Sequence, residues 1–213
     1  MRQTKHQLVY EYLKDKINSN EYPPGTPLTE EMVCEELKVS RTPVRDAIRR
    51  LTSEGLLVIT PGIGLSVSSI GLEDLIEIFD IREGLEGLSV RLFIERAPAA
   101  TIKHLHECVE NQKKAAKDGD FKSFTQYDME FHRILDATVG NKRLSATLDS
   151  IYEQINRLAY TNQEDPAISD MAINGHKEII KYIENGDKVN ATAAMEEHIR
   201  SLKKYYLSKY FNL

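Results

Sequence analysis

Several things are scarce in this sequence, and each scarcity removes a class of function. Two cysteines in 213 residues, Cys34 and Cys108, show no CxxC spacing and fall on either side of the expected domain boundary. A disulfide or a redox pair is therefore not expected, and both read as buried apolar thiols. No apolar run approaches the roughly 18 residues needed to span a bilayer. Met1-Arg2-Gln3-Thr4-Lys5-His6 leads into an amphipathic helix without a signal-peptide core, so a cytoplasmic protein with no membrane partner is expected. Repeats at a solenoid period and low-complexity tracts are absent. A basic excess is missing too: the formal net charge is -5, which speaks weakly against a nucleic-acid binder. Divided near Ile70-Gly71, however, residues 1–70 carry nine Lys/Arg and nine Asp/Glu, while residues 71–213 carry nineteen and twenty-four. The acidity belongs to the second part, and the length suffices for two domains with a core each.

Within the neutral first part, Val39-Ser40-Arg41-Thr42-Pro43-Val44-Arg45-Asp46-Ala47-Ile48-Arg49-Arg50-Leu51 reads as a helix with arginines aimed outward. Ser40 or Thr42 can serve as N-cap, and Pro43 in the first turn forfeits no helical hydrogen bond. Val44, Ile48 and Leu51 recur at three- and four-residue spacing, which buries one stripe and leaves Arg41, Arg45 and Arg49 on the other side. Such a helix suits the major groove, where an arginine fork pairs with guanine while hydroxyls such as those of Ser40 and Thr42 grip phosphate. A plain surface helix with a basic face would share the pattern, but the surroundings favour DNA. Upstream, Leu28 to Leu37 makes a short amphipathic helix capped by Thr29, and Lys38-Val39 leaves room only for the tight turn of a helix-turn-helix. Downstream, Leu56-Leu57-Val58-Ile59 and Leu65-Ser66-Val67 are β-prone and flank the turn Pro61-Gly62-Ile63-Gly64. They predict a wing whose tip at Gly62 can approach the minor groove. A first helix over about Gln3 to Asn18, burying Leu8, Tyr12, Leu13 and Ile17, completes the module. Without a large basic field, DNA affinity should rest on dimeric binding and weaken readily with salt.

From Leu72 onward the periodicity is helical and no convincing strand remains. One helix, or two abutting ones, is expected from Leu72 to Arg96, with Gly84 and Gly87 marking a kink or a close helix contact. Further helices are expected over Ala99–Lys117, Phe121–Val139, Leu144–Tyr160, Ile168–Asn185 and Val189–Phe211, with a loop from Thr161 to Ala167. Short connections make this an antiparallel bundle. Asp128 and His132 are four apart and share a helix face, while His176 and His198 sit on two other helices among apolar neighbours. A bundle interior can gather such residues around a metal, and an Asp/His₃ set suits Zn²⁺, Ni²⁺, Fe²⁺ or Co²⁺ better than Ca²⁺. Spacing alone equally admits a salt bridge or satisfied core histidines. His104 and His106, two apart, face different directions and read as surface residues. Lys113-Lys114-Ala115-Ala116-Lys117 reads as a solvated helix end.

Tyr22-Pro23-Pro24-Gly25-Thr26-Pro27-Leu28, then Val39 to Arg45, then Glu54-Gly55-Leu56 closely resemble the winged helix-turn-helix of GntR-type bacterial transcription regulators, in that family's order and spacing. The bundle resembles the FCD effector domain of the FadR subfamily through Ile81-Arg82-Glu83-Gly84-Leu85-Glu86, Asp128-x-x-x-His132, Gly175-His176-Lys177-Glu178-Ile179 and Ala194-Met195-Glu196-Glu197-His198. The resemblance implies a mainly α fold: a winged helix-turn-helix with a small β-wing over residues 1–70, then an antiparallel helical bundle over residues 71–213 for metal, effector and dimerisation. It agrees with DNA contacts from Ser40, Arg41, Thr42, Arg45, Arg49 and Gly62. It implies a divalent metal on Asp128, His132, His176 and His198, zinc first and nickel or another transition metal next. Arg82 would hold the carboxylate of a small organic acid, although an i, i+4 ion pair with Glu86 is an equally simple use for it. The protein so implied is a homodimeric regulator, a repressor in the first instance, whose affinity for double-stranded operator DNA responds to the acid. Two other readings are a metal sensor with no organic effector, and a metal-dependent hydrolase with an appended DNA-binding domain. The hydrolase would need a general base and an open cleft that the sequence does not clearly supply.

Overall fold

The computed structural model describes residues 4–159 and 166–211, and the chain divides into two compact units, Met1–Ile70 and Gly71–Leu213. In the first unit, α1 (Lys5–Asn18) starts where the Thr4 hydroxyl accepts a hydrogen bond from the Gln7 amide at 3.2 Å. Its buried stripe is Val9, Tyr10, Leu13 and Ile17. Leu8 is exposed and Tyr12 half-buried, contrary to expectation. The i, i+4, i+8 row through residues 9, 13 and 17 faces the core, which leaves residues 8 and 12 on its flank. The Tyr12 hydroxyl bonds Glu36 instead.

The turn between the two following helices shapes the module. α2 (Glu30–Leu37) is capped by Thr29, which accepts from the Met32 amide at 3.1 Å, and it ends at Lys38 in the left-handed region at φ 52°. α3 (Arg41–Ser53) follows at once. Ser40 occupies its N-cap position without a side-chain cap bond, so the hydroxyl expected to cap stays exposed. Val44, Ala47, Ile48 and Leu51 face inward and join Val9, Leu13, Ile17, Val33, Leu57 and Val67 in one core. The wing has a strand that the sequence did not suggest. β1 (Pro27–Leu28) pairs with β3 (Gly64–Val67), which pairs with β2 (Leu57–Thr60), all antiparallel in the order β1-β3-β2. Two residues are too few to show a strand period. Gly62, at φ 80°, forms the hairpin tip.

The described residues of the second unit form α4 (Leu72–Arg96), α5 (Ala100–Asp118), α6 (Phe121–Thr138), α7 (Lys142–Ala159), α8 (Pro166–Glu184) and α9 (Lys188–Phe211). α4 is one unbroken helix of 25 residues. Of its two glycines only Gly87 marks a close approach: a Cβ there would lie 3.3 Å from Thr192 Cγ2 of α9, while one at Gly84 would meet nothing within 4 Å. Ala97, extended before Pro98, ends the helix, because the α conformation is disfavoured ahead of a proline. Of the loop expected over residues 161–167, positions 161–165 lie outside the described residues, and Pro166 and Ala167 already open α8. A proline in a first turn gives up no helical bond. α4 packs along α9, α9 along α8, and α5 against α6 and α8. The fold is thus mostly helical with one small antiparallel sheet.

Candidate functional site

Burial of polar side chains singles out one region. Among the described residues, the fully buried polar ones all belong to the second unit: Arg82, Glu86 and Ser89 on α4, Gln112 on α5, Thr125, His132 and Asp136 on α6, Ser169 and His176 on α8, and His198 on α9. Removing such groups from water is costly unless they serve one another or a ligand. His132, His176 and His198 each offer a ring nitrogen within 4.8 Å of the others. Phe131 fixes the plane of His176 by stacking on it, centroids 3.9 Å apart and 16° between rings.

The tautomers follow from the neighbours. Gln112 donates from Nε2 to Asp128 Oδ1 at 2.9 Å, since a carboxylate only accepts, and this turns its Oε1 to His176 Nδ1 at 3.0 Å. His176 Nδ1 therefore carries the proton and donates it. Glu86 touches His132 Nδ1 with one oxygen and pairs with Arg82 through the other, and a carboxylate beside that nitrogen favours the proton there. Burial would raise the Glu86 carboxyl, but Arg82 and then His132 overcome it and hold the group at about 2. Both imidazoles thus present a bare Nε2, and the two nitrogens lie 3.3 Å apart. Facing lone pairs at that distance require a proton or a cation between them. His198 completes the trio, with both ring nitrogens unpartnered. Burial first, then the neighbouring histidines and Arg82, hold His176 and His198 well below the usual imidazole range. Neutral rings are the form that ligates a metal.

Asp128 stands at the edge of this trio. Its Oδ1 is 3.7 Å from His176 Nε2 and is tied to Gln112. Burial raises its carboxyl against the pull of His132 and Arg82. Asp128 also lines a cavity of about 40 Å³, together with Arg82, Thr125, Ser169 and apolar residues including Phe124, Met129, Ile155 and Leu202. Arg82 is 1% exposed; its Nε pairs with Glu86 while its Nη2 has no partner. The ion pair therefore leaves Nη2 uncommitted. Ser169 Oγ is also unpartnered. Sequence reasoning missed Gln112, Ser169 and the second use of Glu86. The signal for Gln112 was present: it falls on the buried stripe Leu105, Cys108, Val109, Ala115 of α5, where a polar residue is out of place.

In the first unit, Arg41, Thr42, Arg45 and Arg49 are all exposed on α3. Arg45 Nε is held 2.9 Å from both oxygens of Glu30, which leaves its terminal nitrogens unused in that pair. Arg50 is different: it pairs with Glu54 at 2.9 Å and lies 3.7 Å over the Tyr10 ring, so it ties α3 to α1. Beside Gly62 at the wing tip, Ile63 is 76% exposed.

The family model described as "Bacterial regulatory proteins, gntR family" matches residues 5–67, and that of the FCD domain matches residues 77–201. The chain belongs to the GntR family. It joins a GntR helix-turn-helix to an FCD domain, an architecture consistent with the FadR subfamily, and is a DNA-binding transcription regulator rather than an enzyme. It is 30% identical over 197 residues to a Paenarthrobacter nicotinovorans protein named "Probable D-xylose utilization operon transcriptional repressor", covering 90% of this chain and 84% of that one. It is 24% identical over 199 residues to the HTH-type transcriptional repressor RspR of Escherichia coli K12, covering 93% and 87%. The fold of E. coli McbR/YncC superposes with a TM-score of 0.80 at 23% identity, covering 97% of this GntR-family chain and 99% of the other. No helix among the described residues is long and apolar enough to cross a membrane.

Proposed function

We propose that this GntR-family regulator acts as a metal-containing, acid-responsive repressor. It binds a near-palindromic operator as a homodimer through Ser40, Arg41, Thr42, Arg45, Arg49 and the wing tip at Gly62. Its FCD domain holds a divalent metal on His132, His176 and His198, with Asp128 beside them. The facing Nε2 atoms of His132 and His176, with His198 unpartnered next to them, carry this reading. Three imidazoles and a carboxylate are a borderline donor set, so zinc is the first candidate and nickel the next. Such a metal has open positions for the oxygens of a carboxylate, and Arg82, which with Asp128 lines the adjoining cavity, pairs with that anion by a charge-assisted bond. Glu86 and Gln112 orient the two imidazoles from behind, the usual job of groups just outside a metal's ligands. The effector is accordingly a small organic acid, and the names of two relatives as repressors favour repression.

Native mass spectrometry of the purified protein tests this. About one divalent metal per chain is expected, lost in His176→Ala and in His198→Ala while helical content persists, because the bundle has an apolar core of its own. Equal metal content in both variants and the parent would remove the site.

A further inference from the structure

We infer that the effector pocket does not end at the Arg82 cavity but continues into a lysine-lined groove on the bundle surface, and that it takes a dianion: a small dicarboxylate with one end at Arg82 and the other at Lys117 and Lys177. The inference rests on the acid-binding reading of Arg82.

The inner cavity and an outer groove of about 340 Å³ share two wall residues, Phe121 and Ser169. Phe121 opens α6 and Ser169 lies near the start of α8, so the two spaces adjoin where these helices begin. At about 40 Å³, the inner space takes roughly three water-sized groups. That accommodates a carboxylate and little more, so the rest of an acid has to extend past Phe121 and Ser169. Ser169 is 4% exposed and its hydroxyl has no partner. A buried hydroxyl on the wall between two spaces is the group that would bond an occupant running through both.

The outer groove carries the charge for the far end. Lys113, Lys117 and Lys177 line it, with Asp170 the one acidic residue among the described residues of its wall. Lys113 is paired with Glu110, a carboxylate that Lys177 also draws below its ordinary range. Lys117 and Lys177 have no ion pair among the described residues and are exposed. This cluster sits in the unit that holds all of the chain's negative excess. The end of α5, which by sequence alone is a solvated lysine run, meets Lys177 only because α8 packs across it. Two cations at a groove mouth attract anions and stabilise a second anionic group there, while a monoacid reaching the same place gains nothing from them.

The test is calorimetric titration of metal-replete, full-length protein with matched pairs of acids: malonate and propionate, succinate and butyrate, glutarate and valerate, adipate and hexanoate. At least one diacid should bind about tenfold more tightly than its monoacid, the scale of one added charge-assisted hydrogen bond. In Lys117→Gln/Lys177→Gln, whose side chains are exposed and dispensable to folding, that advantage should vanish with monoacid affinity unchanged. Arg82→Ala should weaken both members of the pair. If no diacid binds more tightly than its monoacid, or if the advantage survives in the double lysine variant, the groove is overturned while acid binding at Arg82 stays intact. Failure of every acid to bind the parent overturns both.

Discussion

Asp136 lies one helical turn beyond His132 on α6 and is only 3% exposed, with Oδ2 unpartnered. Burial, then Asp149 and Glu86, push its carboxyl up to about 7 against the pull of Arg133. The unfolded value is about 3.9, so below pH 4 both states are protonated and the group contributes nothing to pH dependence. As pH rises toward 7 the unfolded chain ionises and the folded chain does not. Stability falls over that window, and the full penalty stands above pH 7. Asp136→Asn keeps the volume and removes the titration. Its stabilisation should be near zero at pH 4 and grow to about 2–4 kcal/mol at pH 8, read from urea midpoints. A difference that did not change with pH would mean that the native carboxyl ionises normally. On α3, Glu30 holds Arg45 by Nε and leaves the terminal nitrogens out of that pair, where the proposed DNA-binding reading sets them against a base edge. Arg45→Ala should therefore cost about 1–3 kcal/mol at the operator and much less on random DNA. Equal losses on both would make Arg45 a phosphate contact.

Among the elements, α8 and α9 decide whether the histidines can meet. Gly175 precedes His176 in the middle of α8, where a glycine weakens a helix by about 1 kcal/mol against alanine. The reason to keep it is His198: a Cβ at Gly175 would lie 3.0 Å from the His198 Cγ and 3.3 Å from its Cβ, with Nδ1 closer still. Gly175→Ala should leave the bundle folded and reduce metal content by displacing the His198 ring. Full metal occupancy in that variant would exclude His198 as a ligand. Such a dependence marks the limit of what the residues alone reveal. α3 is legible because Pro43, the 44/48/51 stripe and the arginines opposite are all local. The histidines are legible as candidates because each sits on an apolar helix face. The pairing of Gln112 with His176, 64 positions away, and of Glu86 with His132 depends on how helices converge, which no local period encodes. β1 and the lysine groove are hidden for the same reason, since each is completed by residues distant in the chain.

For the whole molecule, the proposed acid site and the proposed operator contacts lie in different units, so in the proposed dimer each ligand can affect the other only by favouring one arrangement of the two chains. α4 is the element that chain continuity puts between them. It begins at Leu72, two residues after the first unit ends at Ile70, and it carries both Arg82 and Glu86. An acid that draws on the free Nη2 of Arg82 acts on the same side chain that braces Glu86, and through Glu86 on His132. The coupling must be reciprocal: if saturating acid weakens operator binding by some factor, saturating operator weakens acid binding by the same factor, with about 1–3 kcal/mol the usual range. Both directions can be measured, operator affinity by fluorescence anisotropy with and without the best diacid, and acid affinity by calorimetry with and without operator. Arg82→Ala should lose the acid and the DNA response together while retaining unliganded operator affinity. Operator affinity that stays constant at saturating acid would end the case for effector control, and acid binding unchanged in Arg82→Ala would reduce that arginine to its ion pair with Glu86.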